Sequence, residues 1–249
     1  VQEDRIYIIE VNPRSSRTVP YISKVTEIPM VEMAVKCALG ISLKEMGITQ
    51  ELAPKKPFYA VKVPVFSNEK IPDLEISLSP EMKSTGEVLG IGRGFGEAIC
   101  KGLVAGGIRM NWEHPGILFS ISNRYKQEVI PIAKGFAALG FDLYATGGTA
   151  HVLNTNFVPT NVVRRLGEGE PNLESLIKSG KIHLILNTPT HGRDSSRDGF
   201  RIRRFATERG IPCLTAPDTA QALLTALKSK RSEAELTPIS LQDLKEWEK

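Results

Sequence analysis

At 249 residues, with 41% apolar and 24% charged side chains, the chain has the composition of a globular protein of one or two domains, not of a disordered or fibrous one. Its 32 basic and 28 acidic residues leave a formal charge of +4, too small an excess for the dense basic stripe of a nucleic-acid binder. No apolar run approaches the ~18–20 residues of a membrane span. The first 113 residues balance their charges, so the whole basic excess falls from His114 onward, where it suits a site for a small anion. Cys37, Cys100 and Cys213 are far apart and form no CxxC pair, which points away from zinc and from a disulfide framework; each lies in an apolar stretch and is expected as a buried thiol. The start, Val1-Gln2-Glu3-Asp4-Arg5, has neither a signal-peptide pattern nor a Met, as expected of an excised segment.

The first element is a β-rich run, expected as a strand over 5–11. Glu10 and Asn12 sit at i and i+2, so on a strand both face one side. A carboxylate with an amide oxygen is hard-oxygen ligation, suited to magnesium or manganese held with phosphates. Pro13 ends the ladder, and Arg14 and Arg17 can fork onto phosphate or carboxylate oxygens. Spacing alone leaves a second reading open, a surface strand end with solvated charges. Further on, 30–39 carries apolar residues at helical spacing with Gly40 as a stop. Residues 61–66 alternate like a strand. The cluster Gly90-Ile91-Gly92-Arg93-Gly94-Phe95-Gly96 has the wrong spacing for a dinucleotide fingerprint and is expected as a turn into a helix over 94–103.

A boundary near 112–116 divides the chain into 1–113 and 114–249, and beyond it the pattern changes. Short apolar runs at 117–122, 141–145, 161–164, 183–187 and 213–215 read as buried strands. Helical periodicity occupies 127–139, 149–153, 173–179, 195–209 and 219–227. Strands alternating with helices imply an α/β fold with a mostly parallel five-stranded sheet covered on both faces. Ligands of such sheets bind at the carboxyl ends of the strands. There Ala145-Thr146-Gly147-Gly148-Thr149-Ala150 opens a helix with bare backbone, hydroxyls and a helix N-terminus that favours an anion. Asn187-Thr188-Pro189-Thr190-His191-Gly192-Arg193 follows the fourth strand, Lys126 the first, and Arg164-Arg165 the third. Four strand ends thus converge on one anion-friendly rim. His114, His151, His183 and His191 are scattered and without partners at ligand spacing, which argues against a metal site in this half. The arginine-rich helix with Arg193, Arg197, Arg201, Arg203, Arg204 and Arg209 reads as a solvated face opposite Phe200, Ile202 and Phe205. In the tail, Leu236, Ile239, Leu241, Leu244 and Trp247 suggest a terminal helix docked on the body or on a partner chain, which leaves a homo-oligomer open.

On these residues the chain resembles a known family. Glu10 to Pro20, continuing through Tyr21-Ile22-Ser23-Lys24-Val25-Thr26, is similar to the second synthetase half of the large chain of carbamoyl-phosphate synthase, and Ser79-Pro80-Glu81-Met82-Lys83-Ser84-Thr85-Gly86-Glu87-Val88 is similar to that family's PEMKSTGEV signature. The resemblance implies the C-terminal part of an ATP-grasp domain over 1–113, with Glu10 and Asn12 on the Mg or Mn of ATP and Arg14 and Arg17 as catalytic contacts to the transferred phosphate. The second half resembles the methylglyoxal-synthase-like (MGS-like, Rossmann-like) allosteric domain that closes the large chain, implying a site for nucleotide monophosphates (UMP and IMP in bacterial members). Its residues would be Ser120, Lys126, Thr146, Gly147, Gly148, Thr149, Arg165, Asn187, Thr188 and Thr190, with Arg165 standing where some members have lysine. Glu87 and Thr215 fall at positions matching an ornithine site. The resemblance also implies a cytoplasmic ligase of pyrimidine and arginine biosynthesis that makes carbamoyl phosphate from bicarbonate, glutamine-derived ammonia and two ATP. Its partners would be the rest of the large chain and a glutaminase small subunit, with no nucleic acid and no membrane. This segment alone is expected to hold no complete cofactor site.

A free-standing methylglyoxal-synthase-like phosphate lyase is the alternative. That chemistry needs a carboxylate base in a Gly-Gly-Asp-type loop after the fourth strand. Here His191-Gly192-Arg193-Asp194-Ser195 stands in its place, with Asp194 as the available substitute.

Overall fold

The computed structural model describes residues 3–8, 10–12, 14–49, 53–67, 82–109, 115–189, 198–229 and 236–248. Thr190, His191 and Asp194, the start of the arginine-rich helix, and Ser79 to Glu81 of the signature lie outside them. Two compact units emerge: Val1–Pro57 with Leu241–Lys249, and Phe58–Ser240.

In the first unit α1 spans Thr18–Thr26 and α2 spans Met30–Ala38. Neither helix has a buried residue. Glu27, at φ 61°, ends α1, and Gly40, at φ 92°, follows the end of α2. The strand expected over 5–11 does not form among the described residues; Ile6, Ile8 and Val11 are 83%, 80% and 76% exposed. A β-rich run gives a strand only when a neighbour supplies the ladder hydrogen bonds and covers one face, and no described strand pairs with this run. Cys37, expected to be buried, is exposed, because α2 presents no covered face in this unit. The tail forms a 3-10 helix over Leu241–Glu248 where a terminal helix was expected, with Leu244 buried.

The second unit starts with an antiparallel hairpin of β1 (Tyr59–Val65) and β2 (Gly86–Gly92), capped by α3 (Phe95–Ala105). The glycines of β2 disguise it as a turn in the sequence. They are there because α3 lies directly on the strand: a Cβ on Gly90 would meet the Ala98 carbonyl oxygen at 2.1 Å and the Gly102 nitrogen at 2.4 Å. The rest is a parallel sheet of β3 (Gly116–Ser120), β4 (Asp142–Thr146), β5 (Asn161–Val163), β6 (Leu184–Asn187) and β7 (Cys213–Leu214), in the order β5-β4-β3-β6-β7. All five strands fall within the expected runs or a residue beyond them. They are interleaved with α4 (Val129–Ala138), α5 (Gly147–Thr155), α6 (Leu173–Lys178), α7 (Asp198–Glu208) and α8 (Pro217–Ser229).

Strand alternation divides the core in two. Ile117, Phe119, Leu184 and Leu186 face one layer, filled by Val129, Ala133 and Phe136 of α4, Leu153 of α5, and Leu223, Leu224 and Leu227 of α8. Ile99, Cys100 and Leu103 of α3 belong to the same cluster. Leu118 and Ile185 face the other layer, with Leu173 and Ile177 of α6 and Ile202 and Ala206 of α7. Both faces are therefore sealed, and the strand ends are left as the place for a ligand. The boundary expected at 113/114 separates elements that pack in one unit, since α3 joins the core that α8 and the sheet share.

Candidate functional site

The site is the carboxyl edge of the parallel sheet, where the strand order reverses between β3 and β6. Ser120 ends β3 and lies opposite Asn187 at the end of β6, and Thr146 ends β4 opposite Val163. Successive strands run outward in opposite directions from this pair, so the loops after β3 and β6 part and leave a crevice. Ser120, Thr146, Asn187 and Thr188 share this edge, and Arg164 and Arg165 follow β5 on it.

Helix α5 starts at that crevice. Thr146 is its N-cap, with extended backbone and no side-chain capping bond, so its side chain leaves the first-turn N–H groups unengaged. Gly147 and Gly148 are exposed. Lys126, just past a 3-10 turn over Asn123–Tyr125, lays its ammonium over this turn: a Cβ on Gly148 would stand 3.0 Å from Lys126 Nζ. Backbone donors, the positive end of a helix and an ammonium together have the chemistry to receive a phosphate or carboxylate.

The hydroxyls do a different task from the one their position suggests. Thr149, 2% exposed, accepts at Oγ1 from the Ile121 N–H at 3.2 Å. Thr188 Oγ1 accepts from the Ser122 N–H at 2.7 Å and donates to Ser122 Oγ at 3.2 Å, while its own N–H donates to the Ser120 carbonyl at 3.2 Å. Both threonines tie the loop after β3 to its neighbours, so the rim is held by side chains facing inward and lined by backbone. Asn187 is also internal: its Nδ2 donates to the Ser120 carbonyl at 3.2 Å. Arg165 is exposed, and its N–H donates to Glu168 Oε2 at 2.9 Å.

One residue of this edge was not legible as such. Arg203 of α7, expected on a solvated face, is buried and donates through Nη1 to Asn187 Oδ1 at 2.7 Å. The signal was the stripe Gly199, Ile202, Arg203, Ala206 at i, i+3, i+4 and i+7, which puts Arg203 on the covered side of the helix.

In the first unit, Asn12 Nδ2 donates to Glu10 Oε1 at 3.2 Å, so the two side chains do share one side although no strand forms here among the described residues. The Asn12 amide oxygen and a Glu10 carboxylate oxygen make two hard-oxygen donors, a partial set suited to Mg or Mn. Both residues are exposed, as is Arg14, and Arg17 is the half-buried N-cap of α1. Among the described residues no group of three or more His, Cys, Asp or Glu is placed to hold a metal. Glu87 of β2 pairs with Lys62 at 3.3 Å and has a buried Oε2 without a hydrogen-bond partner among the described residues. Thr215 lines a separate pocket of about 330 Å³ with Val63, Pro64, Leu103, Ile108 and Cys213, and Glu87 is not among its lining residues.

Comparison with known proteins agrees with this architecture. Residues 128–215 match the MGS-like domain family, and residues 1–46 match the carbamoyl-phosphate synthase L chain, ATP binding domain. By these matches the chain is similar to an MGS-like domain preceded by a segment of an ATP-binding domain. The chain is homologous over nearly its whole length to carbamoyl phosphate synthase large chains. It is 45% identical to that of Lachnoclostridium phytofermentans over 241 residues, which are 97% of this chain and 22% of the relative. It is 45% identical to that of Clostridium perfringens over 239 residues, 96% of this chain and 22% of the relative. The chain thus spans about a fifth of the length of the curated relatives it matches. Among solved structures, methylglyoxal synthase from Elizabethkingia anophelis NUHP1 aligns at a TM-score of 0.38 and 20% identity, over 45% of this chain and 77% of that chain.

Proposed function

We propose that this chain is the C-terminal segment of a carbamoyl-phosphate synthase large chain, and that the rim between β3, β4 and β6 binds a nucleoside monophosphate effector. The observation that carries the reading is the joint presence, in one chain with 45% identity over 97% of its length to such large chains, of the ATP-binding segment and the MGS-like domain. In the whole protein the activity would be cytoplasmic, ATP-dependent synthesis of carbamoyl phosphate, with a glutaminase subunit as partner. Glu10 and Asn12 would give oxygen ligands to Mg or Mn, which when bound neutralises phosphate charge, and Arg14 and Arg17 would contact the phosphate being transferred.

In the effector site the phosphate would sit at the N-terminus of α5, on the Gly147, Gly148 and Thr149 N–H groups, beside Lys126. Ser120, Thr146, Arg165 and Thr190 would complete it, with Asn187 and Thr188 holding the loop behind it. Glu87 and Thr215 are proposed for ornithine, and 113/114 as the boundary between the catalytic and regulatory parts. Calorimetry with UMP and with IMP, repeated on Lys126→Ala, tests the effector site: binding by at least one nucleotide, weakened by the substitution, is expected. No heat with either nucleotide removes the assignment.

The isolated chain should make no carbamoyl phosphate, because two oxygen ligands and two arginines do not enclose ATP; measurable synthesis would overturn that. It should also release no methylglyoxal from dihydroxyacetone phosphate. Turnover lost on Asp194→Asn would instead favour the lyase reading.

A further inference from the structure

The amide of Asn187 is held from two sides. Its Oδ1 accepts from Arg203 Nη1 at 2.7 Å, and its Nδ2 donates to the Ser120 carbonyl at 3.2 Å. Asn187 is 2% and Arg203 8% exposed. A guanidinium has donors only, so it can bond only the oxygen end of the amide and thereby fixes which way the amide faces. Turned over, the amide would set its NH2 against the guanidinium and its oxygen against the Ser120 carbonyl, two repulsive contacts in a buried place.

The consequence falls on the end of β3. The Ser120 carbonyl accepts from Asn187 Nδ2 and from the Thr188 N–H, both at 3.2 Å. Both donors belong to the end of β6 and the residue after it, so the carbonyl is held toward that strand. A carbonyl free to swing toward the rim would place a partial negative charge against an anion lying there. The first turn of α7 packs on this pair: a Cβ on Gly199 would lie 3.4 Å from Arg203 Nη1 and 3.5 Å from Asn187 Oδ1.

We propose that Arg203 is a positioning residue for the anion rim: from the covered face of α7 it orients the Asn187 amide and so keeps the Ser120 carbonyl turned away from a bound phosphate, a role that rests on the rim's being the effector site proposed above. The residue acts through Asn187 and does not touch the ligand.

A double-mutant cycle on the whole chain tests this, read by calorimetry with UMP, IMP and inorganic phosphate and by thermal melting. Arg203→Met should weaken binding by about tenfold, the order expected for one buried charge-assisted hydrogen bond. In an Asn187→Ala background the same change should weaken it no further. Arg203→Lys, which keeps a donor, should recover part of the affinity. Asn187→Asp keeps a partner for Arg203 but turns a second acceptor to the Ser120 carbonyl; it should fold and bind at least about tenfold more weakly. An equal loss from Arg203→Met in both backgrounds would mean that the guanidinium acts through space, and would overturn the role. Should Arg203→Met not fold, Asn187→Asp decides alone, and wild-type affinity in it overturns the role. Silence of the unmodified chain toward all three ligands is a different result: it removes the effector site itself, and this role with it.

Discussion

A methyl group on Gly148 would stand 3.0 Å from the ammonium nitrogen of Lys126, which therefore rests on bare backbone at the first turn of α5. The obstacle is the far end of a flexible side chain, so Gly148→Ala should fold normally. It should push the ammonium off the helix start and weaken nucleotide or phosphate binding by roughly tenfold, with Lys126→Ala weakening it by up to about a hundredfold, in line with charge-assisted hydrogen bonds. Calorimetry measures the affinities, and an unchanged melting temperature for Gly148→Ala checks that the effect is local.

Gly90→Ala should behave in the opposite way. The new Cβ would meet backbone, at 2.1 Å from the Ala98 oxygen and 2.4 Å from the Gly102 nitrogen. Neither atom can yield without lifting α3 from β2, so the loss should exceed about 3 kcal/mol, above the usual range for overpacking. Urea unfolding reads it. Gly94→Ala, where a side chain meets open space, is the control and should cost less than about 1 kcal/mol.

Tyr144 of β4 should titrate late. Burial, and then the negative charge of Asp142, hold its phenol above the ordinary value near 10. The folded state thus favours the neutral phenol. The stability this contributes is complete below pH 10 and is lost as the pH rises through the folded-state value. Alkaline absorbance titration should show Tyr144→Phe removing one late-ionising tyrosine. Asp142→Asn should lower the Tyr144 value only in part, because burial is the larger cause.

Asn172 begins α6 with a capping box. Its side chain accepts from the Glu174 and Ser175 N–H groups at 2.9 and 3.1 Å, and Ser175 Oγ accepts from the Asn172 N–H at 2.9 Å. Asn172→Ala should lower stability by about 1 kcal/mol. Affinity at the rim should stay unchanged, since none of these bonds involves a rim residue; denaturant melts and calorimetry on one preparation check both.

The central strands β3 and β6 of the parallel sheet were legible because they are buried on both faces. A run such as Ile117 to Phe119 must then be apolar throughout, and no alternation can mislead. The helix start at Gly147 was legible for a related reason, since exposed glycines after a buried strand leave few other uses for bare backbone. β2 was hidden by its own packing, because the glycines that admit α3 erase the strand signal. The run at 5–11 misled in the other direction: its β-forming side chains are real, but pairing is a property of the neighbour. The rim was read by residue type, which located Thr149, Asn187 and Thr188 but could not say that their side chains turn inward. Arg203 was read by composition, among many arginines, when its register in the helix was the informative quantity.

Ile99, Cys100 and Leu103 of α3 complete the apolar layer that contains Leu223, Leu224 and Leu227 of α8, and a Cβ on Gly96 would stand 2.7 Å from Ser229 Cβ. This has a bearing on portability. A piece cut at residue 114 would leave the apolar flank of α8 that α3 covers exposed, and is expected to aggregate. The compact unit that keeps this flank covered begins at Phe58 and takes the hairpin with it.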